Sequence, residues 1–118
     1  MTSYETAIAA VKAIDGKKGL DIQVIKIRDI SVLADYMVIA TGNSSTHVKA
    51  LADEVEYRLD EAGVSVSHIE GYRSNSWILL DYVDVIVHVF SGEAREFYDL
   101  DRLWQDGESV DISEYTVD

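Results

Sequence analysis

Three histidines, one glycine–serine turn and one hairpin of mixed character are the places where this chain could do chemistry. His47, His68 and His88 are the only histidines, and there is no cysteine. Their spacing matches neither HExxH nor another ligand pattern, so each reads as a structural or surface residue before it reads as a metal ligand. The missing cysteines exclude disulfides, iron–sulfur clusters, thiolate zinc sites and cysteine nucleophiles. No P-loop, GxGxxG or GxSxG is present.

The most enzyme-like element is Thr41-Gly42-Asn43-Ser44-Ser45, placed between a predicted strand and a predicted helix. Such a turn can cradle a phosphate on the helix N-terminus. The simpler reading is a helix cap supplied by Asn43 or Ser44. Nucleotidyltransferases place a Gly-Ser turn there too, but they also need paired carboxylates on the next strand to hold Mg²⁺. Here Asp53 and Glu54 fall within the predicted helix, and the strand after it offers only Glu70. The metal site is therefore missing, and no cofactor is expected.

The hairpin says more. If Tyr82 pairs with Val85, then Leu80 faces Val87 and Ile78 faces Val89, a wholly aliphatic face that must be core. The opposite face carries Trp77, Leu79 and Asp81 on one strand and Ile86, His88 and Phe90 on the other. A face that met only solvent would not need those large apolar groups. Pure core would not hold Asp81 and His88 unless they were paired. Two readings stay open. Either a helix covers this face and Asp81 bonds nearby backbone, or part of it is an apolar patch with a polar rim, as binding sites are. A register slip of one residue would exchange the two faces.

The elements that must position these residues follow from periodicity. Thr2 and Glu5 form a capping box ahead of Tyr4, Ile8, Val11 and Ile14, which predicts a helix over 3–16. Leu20 to Arg28 is a strand with apolar residues in both phases, hence covered on both sides. Residues 29–35 connect it, with about one helical turn, to a second buried strand over Tyr36 to Ala40. Val48, Leu51, Ala52, Val55, Leu59 and Ala62 form a helical stripe that Gly63 stops. Short strands are predicted over 64–72, 77–82 and 85–90, then a helix over 93–105 with Phe97, Leu100 and Trp104 on one side. The order α-β-β-α-β-β-β-α is that of an α/β (α+β) domain, a mixed five-stranded sheet flanked by helices. One domain is expected over 1–105, and an acidic, flexible C-terminal tail over 106–118.

Bulk properties bound the function. A chain of 118 residues with 47% apolar composition suits one domain with one core. No apolar run approaches the roughly 18 residues that span a bilayer, and residues 1–5 lack a signal or transit pattern. A cytoplasmic protein is expected, without a membrane partner. The 22 acidic and 10 basic residues give a net charge of −12. Such a chain repels phosphate backbones, so no direct nucleic-acid binding is expected. The acidity suits a basic protein partner, or simply solubility.

Four segments carry a resemblance: DISVLADYMVIATGNSSTHVKALAD at 29–53, EG at 70–71, WILLDYVDVIVHVF at 77–90 and REFYDLDRLW at 95–104. Together they identify the chain as resembling the ribosomal silencing factor, or Iojap-like, family over nearly its whole length. The family has Phe more often where this chain has Met37. The resemblance implies a nucleotidyltransferase-like fold without catalytic carboxylates, and a regulator instead of an enzyme. It implies binding to the large ribosomal subunit through universal ribosomal protein fourteen, a basic protein at the intersubunit face. That contact would block subunit joining and repress translation when nutrients are scarce. A part in large-subunit assembly is also associated with the family, and a homodimer is compatible with it. The implied partner-binding surface falls on the hairpin region, at Trp77, Leu80, Asp81 and His88, with Glu70 beside it. Leu80 lies on the face that the alternation assigns to core, so these two expectations conflict. The rival reading is a nucleotide-binding or nucleotidyl-transferring enzyme using the turn at 41–45.

Overall fold

A computed structural model describes residues 1–71 and 75–117. The capping box forms as expected, with Thr2 and Glu5 each accepting the other's backbone N–H, and it opens helix α1 (Ser3–Gly16). Strand β1 (Leu20–Lys26) and strand β2 (Tyr36–Gly42) follow. Helix α2 (Ser45–Glu61) starts on Ser44, whose hydroxyl accepts the His47 N–H at 3.1 Å. Then come β3 (His68–Glu70), β4 (Trp77–Asp81) and β5 (Val85–Ser91). Two short helices, α3 (Gly92–Tyr98) and α4 (Leu100–Leu103), precede β6 (Glu108–Ser109) and a 3-10 turn at Ser113–Tyr115.

The sheet runs β3-β4-β5-β2-β1-β6. Only β2 and β5 at its centre are parallel, and the other pairs are antiparallel. All seven residues of β2 are buried, as a central strand covered on both faces must be. One face packs on α1 and α2. Val24, Val38, Ala40, Ile78, Leu80, Val87 and Val89 from the sheet meet Val11, Ile14, Leu51, Val55 and Leu59 from the helices. The other face holds Ile25, Met37, Ile39 and Phe90 beneath Ala94, Leu100 and Trp104.

The mixed α+β class and the sequence order of the first seven elements stand as read, and three details differ. The sheet has six strands where five were expected. The sixth lies in the segment read as a loose tail: Glu108 and Ser109 pair with Lys26 and Ile25, and Val110 donates to the Val24 carbonyl at 2.9 Å. Ile112 and Tyr115 then pack against the main core. A two-residue strand carries no periodicity of its own; only the open edge of β1 creates it. Next, the helix expected over 93–105 breaks at Asp99, which adopts the left-handed conformation (φ 49°, ψ 51°), one that Asp tolerates better than most residues. The strand expected over 64–72 is also shorter, with three residues, and Tyr72 lies outside the described residues.

Candidate functional site

The hairpin register is the one the alternation requires: Ile78 opposes Val89, Leu80 opposes Val87 and Asp81 opposes Ile86. Trp77, Leu79 and Asp81 therefore share a face with Ile86, His88 and Phe90. β3 extends that face, because His68 opposes Asp81 and Glu70 opposes Leu79. Gly71 lets β3 lie so close to β4. Its φ is +97°, and a Cβ there would sit 1.9 Å from the Trp77 carbonyl oxygen, so only glycine fits.

Each of the two readings of this face describes one half of it. At the α3 end the face is covered. The Trp77 ring lies 4.5 Å from Tyr98 and 5.0 Å from Phe90, and Phe90 is fully buried. At the other end Leu79, Asp81 and Ile86 stay half-buried, with Glu70 and His68 exposed beside them. Asp81 does bond backbone, accepting the Val83 N–H at 2.8 Å in the turn. The result is a strip of apolar surface edged by carboxylates.

Arg95 fixes where the cover stops. It is nearly buried, and its guanidinium pairs with Asp101 at 3.2 Å. The same group donates to Thr41 Oγ1 at 2.9 Å and to the Asp21 carbonyl. Asp21 sits at a β1 irregularity with φ 47°. These bonds hold α3 and α4 against the β2–β1 side of the sheet, and Tyr98 alone reaches out over Trp77.

His88 sits beneath the strip, 4% exposed. Trp77 Nε1–H donates to its Nδ1 at 3.0 Å, so Nδ1 must be unprotonated and the imidazole neutral. Its Nε2 has no acceptor among the described residues. Burial pushes the His88 pKa down to about 4. The sign follows. A histidine kept neutral in the fold but free to charge on unfolding stabilises fully above its ordinary value of about 6.5. That stability is lost as pH falls toward 4, to a limit of about 3 kcal/mol. The wild type and His88→Asn, whose carbonyl can still accept from Trp77, should therefore diverge in urea stability between pH 7 and 4, with the wild type falling more steeply. Parallel curves would show that His88 takes up no proton on unfolding.

The sequence-predicted residues divide as follows. Trp77 and Asp81 lie on the strip, Glu70 at its edge, and His88 below it as the acceptor that orients Trp77. Leu80 does not belong with them. It is 0% exposed on the α1–α2 side of the sheet, among the main core residues, so it can serve docking only by holding β4 in place. Leu79 and Ile86 belong to the surface and follow from the same alternation. Tyr98 was missed, because a continuous helix would have turned Phe97 toward the sheet in its stead.

At the turn of 41–45, three backbone donors are already engaged within the chain. Asn43 N–H donates to His47 Nδ1 at 2.9 Å, and His47 and Val48 N–H both donate to Ser44. Gly42 is required for packing, since a Cβ there would lie 2.8 Å from the Val48 nitrogen. Asp53 and Glu54 pair with Lys49 and Arg58 along α2. Thr41, which accepts from Arg95, Gly42 and Ser44 thus each have a structural reason to be what they are.

Known proteins resemble this chain over most of its length. A family described as "ribosomal silencing factor during starvation" matches residues 1–118. A ribosomal silencing factor of Halalkalibacterium halodurans is 37% identical over 112 residues, covering 95% of this chain and 96% of that protein. One of Bacillus subtilis is 40% identical over 103 residues, covering 87% of each. The crystal structure of a Chromobacterium violaceum protein superposes with a TM-score of 0.87 at 39% identity, covering 89% of this chain and 88% of that one.

Proposed function

This chain belongs to the ribosomal silencing factor family, and from that premise we propose that it binds the large ribosomal subunit and blocks its joining to the small one by occupying space. The observation that carries the proposal is the half-open sheet face, with Leu79, Asp81 and Ile86 left partly exposed beside Trp77 and edged by Glu70. Apolar area with a carboxylate rim suits a basic protein surface, and the net charge of −12 suits the same partner. Universal ribosomal protein fourteen, the partner implied by the resemblance, fits this chemistry. Opposite charge speeds encounter, and the desolvated apolar contact slows release. Nothing in this mode of action requires turnover, a cofactor or a nucleotide.

Steric exclusion takes one bound molecule per large subunit. In a subunit-joining assay by light scattering, inhibition should saturate near a 1:1 ratio and be the same with and without ATP. Association should slow as salt rises, because the Debye length falls to about 8 Å at physiological ionic strength and further above it. Dissociation, set by the apolar contact, should change less. Inactivation of excess subunits by trace protein, growing with time, would refute the steric mechanism.

A further inference from the structure

Among the described residues, the most exposed aromatic side chain is not on the hairpin. Phe97 on α3 is 81% exposed, Leu103 on α4 is 68% exposed and Tyr98 is 49% exposed. The cause lies in the way α3 is held. Ser91 caps it through the Ala94 N–H, Ala94 is its buried residue, and Arg95 is tied inward to Thr41, Asp21 and Asp101. With 94, 95 and 98 turned to the sheet, a helix of 3.6 residues per turn puts Phe97 on the flank and Glu93 and Glu96 outward. Phe97 meets Tyr98 edge-on at 5.1 Å. Together they wall an open depression of about 610 Å³ whose other sides include Ser76, Glu93 and Glu96.

We infer that Phe97 and Tyr98 form a second lobe of the docking surface, which takes a basic, amphipathic protein segment: one apolar side chain against Phe97 and Tyr98, with lysines or arginines on Glu93, Glu96 and Asp99. The inference deepens the proposed function and rests on it for the partner. Two observations support it. First, Tyr98 lies 4.5 Å from Trp77, so the lobe is continuous with the hairpin strip and one partner can cover both. Secondly, the charges select the occupant. Glu93, Glu96 and Asp99 are exposed around the aromatic pair, and exposed apolar groups inside such a rim mark a binding surface. A nucleic acid would be repelled. A second copy would bring the same rim and another net charge of −12, which opposes self-pairing.

The test uses the full chain and purified large ribosomal subunits. Phe97→Ser removes a side chain that the fold leaves exposed, so thermal unfolding should be unchanged. Affinity for the large subunit should fall about tenfold for Phe97→Ser. The double change Glu93→Lys with Glu96→Lys should slow association and flatten its salt dependence. Unchanged affinity in Phe97→Ser, with binding lost in Trp77→Ala, would overturn the second lobe and leave the proposed function standing. Unchanged affinity in both variants would overturn the lobe and the proposed function together. Wild-type self-association abolished by Phe97→Ser would assign the lobe to a second copy and overturn the inference. A fall in melting temperature for Phe97→Ser would make that residue structural, with the same consequence.

Discussion

Trp77→Ala is expected to weaken binding to the large ribosomal subunit by about 30- to 1,000-fold, the equivalent of about 2–4 kcal/mol. Trp77 joins the covered and open halves of the sheet face: it stacks on Phe90 and Tyr98 and donates to His88. Its removal takes away a half-buried aromatic surface at the centre of the proposed contact and frees Tyr98. It also leaves His88 Nδ1 without its donor, so some loss of stability accompanies the change. Trp77→Phe separates the two effects, because it keeps most of the stacking and loses only the N–H. The measurement is equilibrium binding to isolated large subunits, with far-UV circular dichroism to establish folding. Full affinity in folded Trp77→Ala would remove Trp77 from the interface.

Leu80→Ala should do the reverse. Leu80 is completely buried on the α1–α2 side, opposite Val87 and beside Ile69 in the strand register. Truncation of such a side chain costs about 2–5 kcal/mol through lost transfer energy and the cavity left behind, a large part of the stability of a domain this size. The folded fraction should bind large subunits with wild-type affinity once denaturant titration has established how much is folded. A stable Leu80→Ala protein with impaired binding would mean that Leu80 meets the partner directly and that β4 turns over on docking.

These two residues mark how far the sequence could be read. The alternation over Ile78, Leu80 and Tyr82 against Val85, Val87 and Val89 specified the hairpin register, because a slip would have buried Asp81 in the aliphatic core. Helix α2 was as legible, from its stripe and the Gly63 stop. The family resemblance grouped Leu80 with Trp77 and Asp81 along the chain, whereas period-two geometry puts it on the far side of the sheet. The break at Asp99 left no local sign. It accompanies the seating of Arg95 on Thr41 and Asp21, partners more than fifty residues distant along the chain, and helical periodicity carries no information about them. The same break decides that Tyr98 covers Trp77 and that Phe97 faces solvent, so the covered extent of the face was beyond sequence reasoning even where its members were not. Strand β6 was hidden for a related reason, because its two residues are a strand only through the edge of β1.

The parallel pairing of β2 with β5 has a consequence for how the chain is born. Tyr36 meets Val85 and Gly42 meets Ser91, partners about fifty residues apart, so the centre of the sheet is a non-local contact. A nascent chain synthesised at about 5–20 residues per second must hold β2, with every residue destined for burial, for roughly 2–10 s before its neighbour exists. In that interval β1, β2 and α2 can gather only as a partial layer with one unpaired edge. Premature termination anywhere before Val85 therefore releases a fragment with its most apolar strand open to other chains, a substrate for chaperones or aggregation.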